Sequence, residues 1–171
     1  GSLISREEVS RSALGGLKVG AGLPVFVDVN LRDPWWQHEE VVATVRQARW
    51  AKLNEAELDL LAGASDTETA TALRADCELD AVIVTRGGRG AVVVNSGGVF
   101  EATPPAEVEV VDTVGAGDAF SALFILGLSK GWSTGLILER ALEFAAAVCT
   151  VPGANTADRR IYDEFENLGW W

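Results

Sequence analysis

The chain has 171 residues, 48% of them apolar, enough for one domain with a sizeable core or for part of a larger one. With 14 basic and 25 acidic residues its formal charge is −11, and no Lys/Arg run interrupts this acidity, which speaks against nucleic acid and an anionic membrane surface as partners. No apolar stretch reaches the ~18–20 residues of a membrane span, and no basic segment followed by an apolar one opens the chain as a signal peptide would.

In chain order, residues 5–20 read as an amphipathic helix with Val9, Leu14 and Leu17 on one side. The run 24–30, PVFVDVN, predicts a short strand, and 38–47 a helix beginning at His38, the only histidine. A second strand is expected at 49–54. A helix at 55–63 stops at Gly63, and another at 66–76 has Asp66 as its N-cap. Strands at 80–86 and 90–96 flank a glycine turn, and Gly97-Gly98 makes a hairpin turn into Val99-Phe100-Glu101-Ala102. The run 107–113, EVEVVDT, reads as a strand handing over to a helix at 116–129; further helices are expected at 134–148 and near 158–167. This alternation implies a mostly parallel sheet covered on both faces, with ligands bound beyond the carboxyl ends of its strands.

Cys77 and Cys149 form neither a metal spacing nor a disulfide framework, and read as buried thiols of a cytosolic protein. The chain contains no methionine and starts Gly1-Ser2, so residue 1 is not expected to be the natural start.

The stretch Asp112-Thr-Val-Gly-Ala-Gly-Asp-Ala-Phe120 is the most informative. The first N–H groups of a helix have no partner within it, and together with the helix dipole they make an anion site. Gly115 and Gly117 would let a phosphate approach the backbone. Asp118, in the first turn, is a carboxylate favoured there in its ionised form. Such a carboxylate beside an anion hole can take a proton from an attacking hydroxyl while the hole stabilises a transferring phosphoryl group. A lone G-x-G-D is more often a glycine-rich turn with a capping Asp. Asn54 with Glu57 likewise reads as an N-cap and capping box. Thr85 reads as an ordinary strand residue, and Gly87–Gly90 as a hairpin without the G-K-[ST] of a Walker loop. Trp35 and Trp36 read as packing, and Trp170 and Trp171, at the chain end, as the least informative of the six tryptophans.

The stretch DTVGAGDAF closely resembles the C-terminal signature of the PfkB sugar kinases, and three other stretches match that family in order. DVNLRDPWW (28–36) is similar to its D-x-N-x-R segment, NEAE (54–57) to N-x-x-E, and TRGGRGA (85–91) to its T-x-G-x-x-G strand-turn. The resemblance runs over essentially the whole chain. It implies a ribokinase-like three-layer α/β/α fold with a mostly parallel central sheet, acting with ATP, Mg2+ and K+. In that reading Asp118 is the general base, and Gly115, Ala116 and Gly117 form the anion hole for the γ-phosphate. Asn54 and Glu57 organise magnesium and phosphate largely through water. Thr85, Gly87 and Gly90 belong to the ATP site, Arg32 lies on the sugar and phosphate side, and Asp112 helps hold potassium. Val114 stands where many members carry a second threonine, so only its carbonyl could serve the cation. The stretch around Cys149 passes near the adenine and the cation.

Members of this family are about twice this long. Their first half supplies a β-strand lid and most residues that grip the sugar, and nothing in residues 1–171 resembles it. The resemblance thus implies the C-terminal, nucleotide-binding portion of a cytoplasmic kinase, a homodimer when complete, with an exposed sheet edge in the isolated piece that favours association. The style of 28–36 and of AAAVCTVPGA (145–154) is nearest to fructokinases, which form fructose 6-phosphate. The alternatives are a kinase for ribose, 2-keto-3-deoxygluconate or a nucleoside, and a non-catalytic nucleotide-binding relative. A dinucleotide oxidoreductase is disfavoured by the lack of G-x-G-x-x-G after the first strand.

Overall fold

The apolar alternation of the first half builds a five-stranded sheet. The computed structural model describes residues 23–105, 108–153 and 159–170. Its strands are β1 (Phe26–Asp28), β2 (Trp50–Asn54), β3 (Ala81–Thr85), β4 (Ala91–Asn95) and β5 (Gly98–Ala102), side by side in that order. β1 pairs β2 and β2 pairs β3 in parallel, with Asp28 level with Lys52 and Asn54 level with Thr85. A parallel crossover needs a dozen or more residues. The five residues between β3 and β4 and the two between β4 and β5 therefore make these pairings antiparallel, and the sheet is mixed.

The helices are α1 (His38–Val45), α2 (Glu55–Ala62), α3 (Thr67–Asp76), α4 (Ala116–Lys130), α5 (Thr134–Val148) and α6 (Arg160–Asn167). The side chains expected to cap α2 and α3 do so: Asn54 accepts from the Glu57 amide, Asp66 from Thr69. β1 is shorter than the expected 24–30, because Pro24 has no N–H to give a ladder and Asn30 already turns left-handed at φ +44°. The helix expected at 5–20 lies outside the described residues.

Two compact units divide the described residues: those up to Gly87 with Val92–Val99, and Gly88–Ala91 with those from Phe100 onward. In the first, alternate strand residues Ala51, Leu53, Val82, Val84, Val92 and Val94 share a core with Val45, Leu58, Leu61 and Ala70 from the helices. β3 and β4 are buried from Ala81 to Val84 and from Ala91 to Val94. Such continuous apolar runs belong to strands covered on both faces.

The second unit is built around α4 and α5, joined by the short connection Gly131–Ser133. Here two expectations are corrected. Described residues 108–113 form no strand; the Val111 and Asp112 amides instead donate to the Cys149 carbonyl at the end of α5, at 2.8 and 3.2 Å. With its amides given to a helix terminus, the segment has no ladder to join. Trp170, expected to be among the least informative tryptophans, is 5% exposed. Its ring lies 4.7 Å from Phe165, which meets Phe144 edge-on at 5.2 Å. The Arg140 guanidinium stacks on both Trp132, at 4.2 Å, and Trp170, at 4.8 Å. This cluster ties α6 and the chain end to α5. Arg140→Met, which keeps the stem but removes two cation–π contacts, is expected to cost about 1–2 kcal/mol, read as a lower midpoint in urea unfolding with an unchanged slope. An unchanged midpoint would remove the guanidinium from the tie.

Candidate active site

In the first unit the expected residues cluster at the carboxyl ends of β1, β2 and β3. Asn54 ends β2 and caps α2: its Oδ1 accepts from the Glu57 N–H at 2.9 Å, and Glu57 Oε2 accepts from the Asn54 N–H at 2.8 Å. The capping box read from the sequence is therefore present. Glu57 does more than cap, because its Oε1 accepts from the Leu31 N–H at 2.9 Å, 26 residues away. At 7% exposure it is buried, with each oxygen already bonded to a backbone amide. That leaves little room to enter a metal's inner sphere. It suits magnesium held through water and substrate phosphates, the usual habit of an ion that dehydrates reluctantly. Among the described residues no cluster of three or more His, Cys, Asp or Glu is placed to cage a metal.

The Thr85 hydroxyl donates to the Leu53 carbonyl at 3.3 Å, tying β3 to β2. The glycine turn after it is a single 3-10 turn, Gly87–Arg89, with Gly87 exposed at φ +57°. Arg32 is exposed on the loop after β1, where its carbonyl accepts from Trp35 N–H at 2.9 Å. His38 opens α1 and its Nε2 lies 3.0 Å from the Leu61 carbonyl, a structural contact between α1 and α2.

In the second unit Gly90 is buried, and a Cβ placed on it would lie 2.0 Å from the Ala102 carbonyl oxygen. Close packing accounts for that glycine without a ligand. Gly115 caps α4 in a left-handed conformation, φ +87°, that other residues rarely adopt. The Ala116 amide reaches the Thr113 carbonyl at 3.3 Å and the Ala119 amide the Gly115 carbonyl at 2.8 Å. The Gly117 and Asp118 amides have no acceptor among the described residues, so they are the donors available to an anion. Asp118 lies in the first turn, exposed. Beside it opens a groove of about 480 Å3 lined by Gly115, Ala119, Leu123, Phe144 and Tyr162 among others. Tyr162 did not stand out in the sequence, where a lone tyrosine near the chain end carries no spacing signal.

Asp112 closes the loop before α4. Its Oδ1 accepts from Val114 N–H at 3.0 Å and its Oδ2 from Gly153 N–H at 2.9 Å, which brings 112–114 and 149–153 together. One carboxylate between two loops rich in carbonyls is a donor set that suits a hard monovalent cation, with Val114 able to supply only backbone. The Val114 amide, then that of Gly153, holds the Asp112 carboxyl below its ordinary value of 3.8. A carboxylate with a depressed folded pKa adds stability that is present above the unfolded pKa and lost as pH falls through the folded value. The Val114 and Gly153 amides should therefore stay protected from hydrogen exchange near neutrality and lose protection below about pH 4; protection unchanged in strong acid would mean that other bonds hold the loop. Cys77 is buried as expected, but Cys149 is only partly so, because it stands at the end of α5 beside the Asp112 loop; burial, then the Asp112 charge, pushes its thiol up, so it stays protonated near neutral pH and is a poor nucleophile.

Lys52 was also missed. It is 5% exposed in mid-β2, and its Nζ donates to Asp28 Oδ2 at 2.6 Å. A lysine between Ala51 and Leu53 in a strand was the available signal.

The first unit thus carries a strand-end cluster of polar residues, and the second a glycine-capped helix with a first-turn carboxylate. Residues 20–160 match the pfkB family carbohydrate kinase profile, and the chain belongs to that family. It is 35% identical over 147 residues to aminoimidazole riboside kinase of Salmonella typhimurium, covering 80% of this chain and 46% of that protein. It is 36% identical over 152 residues to fructokinase of Escherichia coli, covering 80% and 48%. Its fold matches the crystal structure of Salmonella enterica aminoimidazole riboside kinase complexed with aminoimidazole riboside and an ATP analogue. That match has a TM-score of 0.74 and 31% identity, over 90% of this chain and 55% of that one. A double-mutant Vibrio cholerae fructokinase in fructose-, ADP- and potassium-bound form matches with a TM-score of 0.72 and 27% identity, over 95% and 57%. The fold is ribokinase-like, and the chain spans about half the length of the relatives it matches. Among the described residues no helix is long and apolar enough to cross a membrane.

Proposed function

We propose that the complete protein is an ATP-dependent kinase that transfers the γ-phosphate to a sugar hydroxyl, with fructose as acceptor and fructose 6-phosphate as product. The observation that carries this reading is the start of α4, where the unbonded amides of Gly117 and Asp118 stand in the same turn as the Asp118 carboxylate. Asp118 takes the proton of the attacking hydroxyl. The backbone amides of Gly117 and Asp118 receive the negative charge of the transferring group, whereas the Ala116 amide expected to join them is already given to Thr113. Asn54 and Glu57 fix the metal and phosphate side through water, while Thr85 and Gly87 shape the nucleotide side. Arg32 meets an anionic oxygen on the sugar side, and Asp112 holds potassium between its two loops. Magnesium, when bound, neutralises phosphate charge during transfer. The complete enzyme is a cytoplasmic homodimer, which light scattering of the intact gene product would check.

The fructose assignment rests on similarity to fructokinases. Equal similarity to a riboside kinase favours a second reading, a riboside acceptor. ADP release from the complete gene product with ATP, Mg2+ and K+, over fructose, ribose, ketodeoxygluconate, adenosine and aminoimidazole riboside, decides between them. Turnover on fructose far above the rest is the expected result. A preference for a riboside replaces the acceptor, and silence from folded protein that binds ATP overturns the kinase reading.

A further inference from the structure

The loop leaving β1 is tied down at nearly every step. The Val29 amide donates to the Lys52 carbonyl at 3.0 Å, and the Lys52 ammonium pairs with Asp28 at 2.6 Å. Asn30 then turns left-handed, Glu57 takes the Leu31 amide, the Arg32 carbonyl takes the Trp35 amide, and the Trp36 indole donates to Asp33 Oδ1 at 2.8 Å. Within this braced run the Arg32 guanidinium has no partner among the described residues. Lys52 is the anomaly. An ammonium buried in a strand is costly to desolvate, and an apolar residue of similar volume commonly serves stability as well or better. A buried pair there is better explained by the segment it orients. Asp28 is the last residue of β1, and the turn that carries Arg32 begins immediately after it.

We propose that Lys52 is a positioning residue: through Asp28 it sets where the 29–36 loop leaves the sheet, and so where Arg32 presents its guanidinium to an anionic, phosphoryl-type oxygen. The proposal rests on the kinase reading for the role of Arg32, while the tie itself is a property of the fold. Displacements of about 1 Å at a remote support can cost roughly 100-fold in rate, so a lost tie is readable in kinetics.

The test uses the complete gene product with Lys52→Met, Lys52→Arg, Arg32→Ala and the Lys52→Met/Arg32→Ala double variant. Hydrogen exchange of the Val29 and Leu31 amides in Lys52→Met should rise about tenfold or more, with 81–95 unchanged. kcat/KM for the sugar that turns over should fall roughly 10–100-fold and recover in large part in Lys52→Arg. In the Arg32→Ala background the same change should have little further effect, because coupled residues are not additive. Multiplying effects, no rescue by arginine, or full activity of Arg32→Ala would overturn the proposal. Should Lys52→Met fail to fold, Asp28→Asn, a neutral isostere, carries the same measurements. If the complete protein transfers no phosphate to any acceptor, the kinase reading fails by itself, and exchange still decides the tie: unchanged rates at 29–36 overturn it.

Discussion

Asp118→Ala in the complete protein should lower kcat by roughly 10²–10⁴-fold, the contribution of a positioned general base. That corresponds to about 3–5 kcal/mol of barrier. The carboxylate is exposed in the first turn of α4 and has no other partner to lose among the described residues, so folding should survive; the missing favourable charge at the helix N-terminus costs about 0.3–1 kcal/mol of stability. Nucleotide affinity should change little, because the amides of Gly117 and Asp118 belong to the backbone and remain. Single-turnover phosphoryl transfer and calorimetric ATP binding separate the two effects. Unchanged turnover would take Asp118 out of the mechanism, and lost ATP binding would make it a nucleotide contact instead.

Gly90→Ala should destabilise the protein by about 2–5 kcal/mol, combining the cost of a left-handed Cβ with that of forcing an atom into packed structure. Gly90 has φ +91°, and the added Cβ would lie 2.0 Å from the Ala102 oxygen and 2.8 Å from the Thr103 Cα, both backbone atoms that cannot rotate aside. Two neighbours supply controls. Gly88 has open space and no left-handed φ, so Gly88→Ala should be nearly neutral. Gly87 has open space but φ +57°, so Gly87→Ala should cost about 1–2 kcal/mol. Midpoints of urea unfolding for the three variants test the ranking. A Gly90→Ala midpoint equal to that of Gly88→Ala would show that β5 shifts freely away from the turn. Because Gly90 matters to packing and Gly87 does not crowd anything, a change in ATP affinity for Gly87→Ala at preserved stability would assign the exposed glycine to the nucleotide.

Several features were legible in the sequence because their causes are local. Asn54 and Glu57 are three residues apart, the spacing of a capping box, and the box is present. Asp66 caps α3 as expected, and Gly115 with Asp118 opens α4 at the anticipated place. The valine runs of β3 and β4 announced buried strands. Other features were not legible. The alternation of 107–113 resembles a strand, but a strand exists only with a neighbour, and the Val111 and Asp112 amides found the end of α5 first. Trp170 looked like a tail residue until α6 carried it onto Arg140.

The sequence by itself determined the order of the described elements apart from the strand expected at 107–113, the helix starts, the glycine-capped turn with its carboxylate and, through those motifs, the family. Periodicity, caps and turn chemistry act over a few residues and need no knowledge of the rest of the chain. Only the tertiary structure decided that Lys52 neutralises Asp28 from 24 positions away, that Glu57 holds the Leu31 amide from 26, and that Gly90 lies under Ala102. Those contacts depend on strand order and register. A shift of one residue in register sends each side chain to the opposite face, so residue types alone could not say which partners would meet.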